Sequence, residues 1–379
     1  MKQMIPDLQK YFQSQKQNIV DFLQAVVNLE SPSLNKKAVD TCSDFVVKEM
    51  KKEGASVTCF PQKKIGDIHL IEYPSYHKKE ESMLILAHID TVFPVGRIKE
   101  MPFRWEGEKI YGPGVLDMKA GLAMALFSLK AINAFNLQTR KNIFLLINSA
   151  EEISSEHSYK LIQEWSKKAS FVICLEPALP GGNVKIQRKG RLVVNLAASG
   201  KAAHAGTPEK GINAIEELIF HLEKIKNIRG QGVTLNIGTI QGGERINIVA
   251  DRAQANLDIR FWKKVQKPKI LQSFYQLHPL PKGASIHWKV TSFTPPMERT
   301  KESERLFFRI QNLAQSLGLS LEAGKTGGGS DASIASSLGI PTLDGLGPDG
   351  EGIHSADEHL LLPSLLERSS LLTKILCEI

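Results

Sequence analysis

Apolar residues recur at three- and four-residue intervals through DFLQAVVNL and AVDTCSDFVVKEM, so the first ~55 residues are expected to form two amphipathic helices. The period then changes. Short, continuous apolar runs follow, SMLILA (82–87), NIFLLINS (142–149) and SFVICL (170–175), with helical stretches before or between them. Strands that are apolar throughout are buried on both faces, which predicts an α/β fold with a mostly parallel sheet and helices on both sides. Ligands in such sheets gather beyond the carboxyl ends of the strands.

Two breaks, EPALPGGN (176–183) and TSFTPPM (291–297), are rich in residues that punctuate structure. Between them the pattern predicts strand (184–199), helix (211–227), strand (232–240), strand (246–261), helix (264–277) and strand (284–293). That is the β-α-β-β-α-β order of a ferredoxin-like α+β unit. Its first and last strands can lie side by side, so it can be inserted without separating the halves of its host. The expected division is 1–183 and 295–379 for the host domain and 184–294 for the insert. A chain of 379 residues is also longer than one core usually supports.

Composition adds little to this picture and removes several alternatives. With 42% hydrophobic and 23% charged residues the chain is an ordinary globular protein. No apolar run is long enough to span a bilayer, and the N-terminal stretch lacks a signal-peptide core, so the expectation is no membrane partner and a cytoplasmic location. Cys42, Cys59, Cys174 and Cys377 lie far apart without a C-x-x-C pair, which suggests reduced core residues. The net charge of +8 comes from scattered basic pairs without interleaved aromatics, so a solvated surface is expected and not a nucleic-acid partner.

The chemistry begins with KIYGPGVLDMKAGLAMALF (109–127), where Asp117 lies between a Gly-Pro-Gly turn and an apolar helix. On this stretch alone Asp117 reads as a helix cap. Each apolar strand, however, is followed by a metal-ligand type: His88-Ile89-Asp90, then Glu151-Glu152, then Glu176. Taken singly, the histidine could be structural and the paired glutamates could cap a following helix. Together, at one edge of a parallel sheet, they would crowd several carboxylates, which is costly unless a cation neutralises them.

In order along nearly the whole chain, AHIDTV, GPGVLDMKAG, SAEE, CLEPA, ASGKAAHAGTPEKGINAI, LDIRF, TGGGSDAS and GIHSADEH resemble the di-zinc metallopeptidases. That family includes the folate-cleaving glutamate carboxypeptidases, acetylornithine deacetylase and succinyl-diaminopimelate desuccinylase. The resemblance implies two zinc ions per subunit, with cobalt or manganese as substitutes. Asp117 would bridge them, His88 and Glu176 completing one site and Glu152 and His354 the other. Asp90 would hold the His88 ring, and Glu151 would be the general base for a metal-bridging water. The insert would be a lid and dimerisation domain, with His204 reaching the partner subunit's site to stabilise the oxyanion. Asn247 and Arg260 would bind the substrate carboxylate, and the Gly327–Ser330 loop, with Gly328, Gly329 and Ser330, would approach the substrate. The implied enzyme is a homodimer that releases a glutamate-type C-terminal amino acid from a small N-acyl or peptidyl substrate.

GKTGGGSDAS (324–333) is not a Walker loop, because five residues instead of four separate Gly318 from Gly324. His359 falls outside the implied ligand positions and is expected at the surface. Many relatives carry arginine where this chain has Thr294 before Pro295, which leaves strict glutamate specificity open. The alternatives are an N-acyl amino acid deacylase and a non-catalytic metal-binding protein.

Overall fold

A computed structural model describes residues 7–75, 81–280 and 282–379; the first six residues of the N-terminal stretch lie outside this set. The chain divides into two compact units, one of Met1–Ile186, Arg299–Lys325 and Ser330–Ile379, the other of Gln187–Glu298 and Thr326–Gly329.

The first unit is built on a six-stranded sheet in the order Ser56–Phe60, Ile68–Tyr73, Asn142–Asn148, Ser82–His88, Phe171–Cys174, Thr342–Leu343. The last four strands are mutually parallel, and the first two are antiparallel additions at one edge. The three apolar runs form adjacent strands, and all of Ser82–His88 is buried. Met83, Ile85 and Ala87 face the main core, beneath Lys16–Asn28, Lys36–Lys52, Ala120–Ala134 and Leu362–Glu378. Leu84 and Leu86 are buried on the other face, where Tyr159–Lys168 packs. Each of the Leu, Ile and Met side chains contributes roughly 1.5–3 kcal/mol on burial.

Among the described residues the N-terminal region holds three helices where the periodicity predicts two: Leu8–Ser14 precedes Lys16–Asn28 and Lys36–Lys52. Leu8 and Phe12 anchor that short helix in the core. Ala120–Ala134 is apolar nearly all round and almost wholly buried. Gly121 lets it lie close to the sheet edge, since a Cβ there would come within 2.8 Å of Leu175 Cβ and 2.9 Å of its carbonyl oxygen.

The second unit has an antiparallel sheet in the order Thr234–Gly242, Arg252–Phe261, Gly190–Ser199, Ser285–Thr294. The first and last strands of the insert are neighbours, as the β-α-β-β-α-β pattern requires. Alternating Leu192, Val194 and Leu196 meet Ala255, Leu257 and Ile259 in a core with Leu218, Leu222, Ile270 and Phe274 from the helices Ala214–Ile225 and Gln266–Tyr275.

Two expected strands are shorter than the sequence pattern suggests. The first breaks at Lys189 into Val184–Arg188 and Gly190–Ser199. The strand expected from 246 begins at Arg252, because residues 247–249 pair with 203–205 through Ala205 N–H to Asn247 O and Val249 N–H to Ala203 O. All four cysteines are free, but Cys59 is exposed on the edge strand Ser56–Phe60 and is not a core residue. Among the described residues no helix is long and apolar enough to cross a membrane.

Candidate active site

Parallel register brings the strand ends together. His88 pairs with Asn148, and Leu86 with Cys174, so His88, the Asn148–Glu152 turn and Glu176 emerge at one level of the same sheet edge. Potential ligand atoms of His88, Glu151 and Glu176 lie within 4.8 Å of one another, as do those of His88, Asp117 and Glu152. His88 Nε2 is 3.1 Å from Asp117 Oδ1 and 3.6 Å from Glu176 Oε1. On the opposite side of the same carboxylate, His354 Nε2 is 3.4 Å from Asp117 Oδ2 and 3.2 Å from Glu152 Oε1.

Asp117 caps no helix. It lies in the turn Val115–Lys119 with φ −113° and ψ 93°, and the helix behind it starts at Ala120. The Asp117–Met118 peptide bond is cis. Gly114, at φ 69°, gives the approach to this turn a conformation that an L side chain rarely adopts, and a Cβ there would strike Thr91 Cγ2 at 2.4 Å. Lys119 is buried and donates to the carbonyls of Val26 (2.9 Å) and Leu29 (2.8 Å), closing the end of helix Lys16–Asn28. Glu358 accepts from the N–H groups of Gly114 (3.2 Å), Leu116 (2.9 Å) and Asp117 (3.0 Å).

Glu151 and Glu152 do not cap a helix either. They open a run of turns, and the next helix begins only at Tyr159. The buried Asp90 carboxylate accepts from both their N–H groups, at 3.1 and 3.2 Å, and from the Ser33 hydroxyl at 2.6 Å. His88 Nδ1 is 3.0 Å from the Asp90 carbonyl and 3.6 Å from its carboxylate, so the backbone oxygen makes the nearer contact with the ring. His354 holds φ 62°, an uncommon backbone state for a residue with a side chain.

The electrostatics show a pocket short of positive charge. Burial opposes charging His88, yet hydrogen bonds to Asp117, Asp90 and Glu176 push it well above its ordinary value. Hydrogen bonds to Asp117 and Glu152 raise His354 to about 10. Burial would raise Asp117, but the two histidines hold it well below the usual carboxylate range. Burial pushes Glu151 well up, and the Glu176 carboxylate adds to the effect. Burial also raises Glu152, against the pull of His354. The carboxylates around the two imidazoles thus form a site that favours positive charge. Nitrogen and oxygen donors in this number fit zinc.

The remaining expected site residues fall elsewhere. In the second unit, exposed His204 accepts from Gly206 N–H at 3.0 Å and lies on a bridge to Ile248, beside Asn247. Arg260 donates to Asp258 Oδ1 (3.0 Å) and to the Gly327 carbonyl (2.8 Å), while Arg188 donates to the carbonyls of Gly328 (3.3 Å) and Gly329 (2.8 Å). The glycine loop is therefore held by two guanidinium groups through its own oxygens. Ser330 belongs to the first unit, where its buried hydroxyl donates to Asp344.

His359 corrects the surface expectation. It is buried in the short strand His359–Leu361, its ring centroid 5.0 Å from that of Tyr111 and its Nδ1 2.8 Å from the Asp357 carbonyl. Sequence reasoning also passed over Glu358, four residues beyond His354, and Asp331 in the glycine-loop motif. Asp331 accepts from Asn148 Nδ2 (2.7 Å) and Ser155 Oγ, and burial raises it to about 6. Both acids sat inside motifs already singled out for other residues.

Residues 84–378 match the peptidase family M20/M25/M40. Carboxypeptidase G2 of Pseudomonas sp. (strain RS-16) is 30% identical over 346 residues, covering 89% of this chain and 83% of that protein. A succinyl-diaminopimelate desuccinylase of Wolbachia pipientis subsp. Culex pipiens (strain wPip) is 32% identical over 209 residues, 50% of this chain and 52% of that one. A tripeptidase structure from Staphylococcus aureus superimposes with a TM-score of 0.79 at 23% identity, covering 95% and 97% of the two chains, and so shares the fold. The match across both units and every strand end that carries the cluster places this chain in peptidase family M20/M25/M40.

Proposed function

We propose that this hydrolase is a di-zinc enzyme cleaving an amide bond to release a C-terminal amino acid of glutamate type from an N-acyl or peptidyl substrate. One observation carries the reading: the two oxygens of Asp117 each face a different histidine Nε2, with Glu176 beside one and Glu152 beside the other. His88, Asp117 and Glu176 would hold one ion and Asp117, Glu152 and His354 the other; cobalt or manganese would substitute for zinc. The ions, when bound, would acidify a water and polarise the scissile carbonyl.

Glu151 is the group that moves the proton. Its carboxyl lies beside His88 and Glu176; assigned to neither ion, it accepts the proton of the attacking water and returns it to the leaving amine. Asp90 fixes the Glu151–Glu152 turn and faces the His88 ring. Arg260 and Asn247 would bind the substrate carboxylate, with Gly328, Gly329 and Ser330 in the loop alongside. His204 would stabilise the oxyanion in the site of a partner subunit, which requires a homodimer. The proposed setting is the cytoplasm.

Thr294, in place of the arginine of many relatives, favours a second reading, an N-acyl amino acid deacylase without strict preference for glutamate. A panel of N-acyl and peptidyl amino acids, assayed with zinc, cobalt or manganese, separates the two. Chelator-sensitive cleavage of peptidyl or N-acyl glutamates is expected. Preferential cleavage of acyl groups from other amino acids would favour the deacylase. No hydrolysis with any of the metals, by protein shown to be loaded, would leave only a metal-binding role.

The role of His204 has its own test. His204→Ala is expected to bind metal normally and stay dimeric while losing about 10²–10³-fold in kcat, the usual worth of an oxyanion donor. A mixed dimer of His204→Ala and Glu151→Ala subunits rebuilds one complete site and should recover up to half the normal activity. A verified mixed dimer without recovery would place His204 in its own subunit's site or outside the reaction.

A further inference from the structure

Glu358 is fully buried, and both of its oxygens are spent on one turn: Oε1 accepts from Leu116 and Asp117, Oε2 from Gly114. A buried acid is costly unless hydrogen-bonded, and both oxygens of this one are. What the three bonds do is fix the backbone of the residue whose side chain lies between the two histidines.

We propose that Glu358 is a positioning residue for Asp117, holding the 114–117 turn so that Oδ1 and Oδ2 stay aimed at His88 and at His354. The proposal rests on the two-metal reading above. Glu358 touches neither substrate nor ion; it acts through the Asp117 backbone. His354 and Glu358 lie in one short segment, so the loop that carries one ligand also braces another. Lys119 closes the far end of the same turn, and Asp117 is thereby restrained from both directions.

The test is Glu358→Gln, which keeps the shape but turns an acceptor oxygen into an amide group that donates toward a backbone donor. Zinc content and affinity of the wild-type protein are measured first, by chelator competition. If the wild-type protein holds fewer than two ions, the two-metal reading fails and this inference with it. With two ions bound, Glu358→Gln is expected to weaken both by about 10–100-fold, the usual cost of removing a partner that orients a ligand. The visible absorption of the cobalt-loaded variant should also shift, a change that a loss of general stability would not produce. A folded variant with wild-type affinity and an unshifted cobalt spectrum overturns the proposal while leaving the two-metal reading intact. Should the metal-free variant fail to fold, refolding with excess zinc decides: recovery supports the proposal, and failure at every zinc concentration assigns Glu358 to the fold alone.

Discussion

Glu151→Ala is expected to keep both metal ions and lose about 10²–10⁴-fold in kcat, the usual contribution of a general base. The structure makes this a clean substitution. Glu151's hydrogen bond to Asp90 runs from its backbone N–H, 3.1 Å from Asp90 Oδ1, and alanine preserves it. The turn that presents Glu152 therefore survives, and with it the second ligand set. Burial, with the Glu176 carboxylate adding to it, pushes Glu151 well above the usual carboxylate range. Metal analysis alongside steady-state kinetics checks the result. Near-wild-type turnover at full metal occupancy would remove Glu151 from the mechanism.

The second large effect is expected at Asp117. One carboxylate faces both histidines, so Asp117→Ala should weaken binding at both positions by more than the roughly 10–100-fold that follows loss of an outer partner. Removing any other single ligand should spare one ion. Glu176→Ala, for comparison, takes away a neighbour of His88, and His354→Ala a neighbour of Glu152 and of one Asp117 oxygen. Metal content after gel filtration reads this directly. Retention of one tightly held ion together with activity in Asp117→Ala would contradict a shared carboxylate.

Much of the fold could be read from hydrophobic period, because burial on both faces leaves continuous apolar strands and burial on one face leaves alternation. Ser82–His88 and Asn142–Asn148 show the first pattern, Gly190–Ser199 and Arg252–Phe261 the second. The strand ends at Lys189 and Arg252 could not be read in this way. They are set by hydrogen bonds to residues distant in sequence, such as Val249 N–H to Ala203 O, and apolar pattern carries no record of those.

The cluster divides along similar lines. His88, Glu151, Glu152 and Glu176 each follow an apolar run, and parallel register alone brings them together. Asp117 looks like a cap in isolation, and only the three-dimensional turn shows that its side chain points to the histidines and not to a helix end. His354 sits on a loop with no periodic signal, so only the motif resemblance pointed to it. The polar letters of SADEH suggest a solvated loop, yet Glu358 and His359 are buried there because one binds the Asp117 turn and the other packs on Tyr111.

Crystals grown with zinc and measured at the zinc absorption edge would show whether Asp117 is shared, because anomalous scattering locates the ions without reference to any assumed role. The account predicts two peaks flanking Asp117, one against His88 and Glu176 and the other against Glu152 and His354. A single peak, or peaks that do not share Asp117, would contradict it.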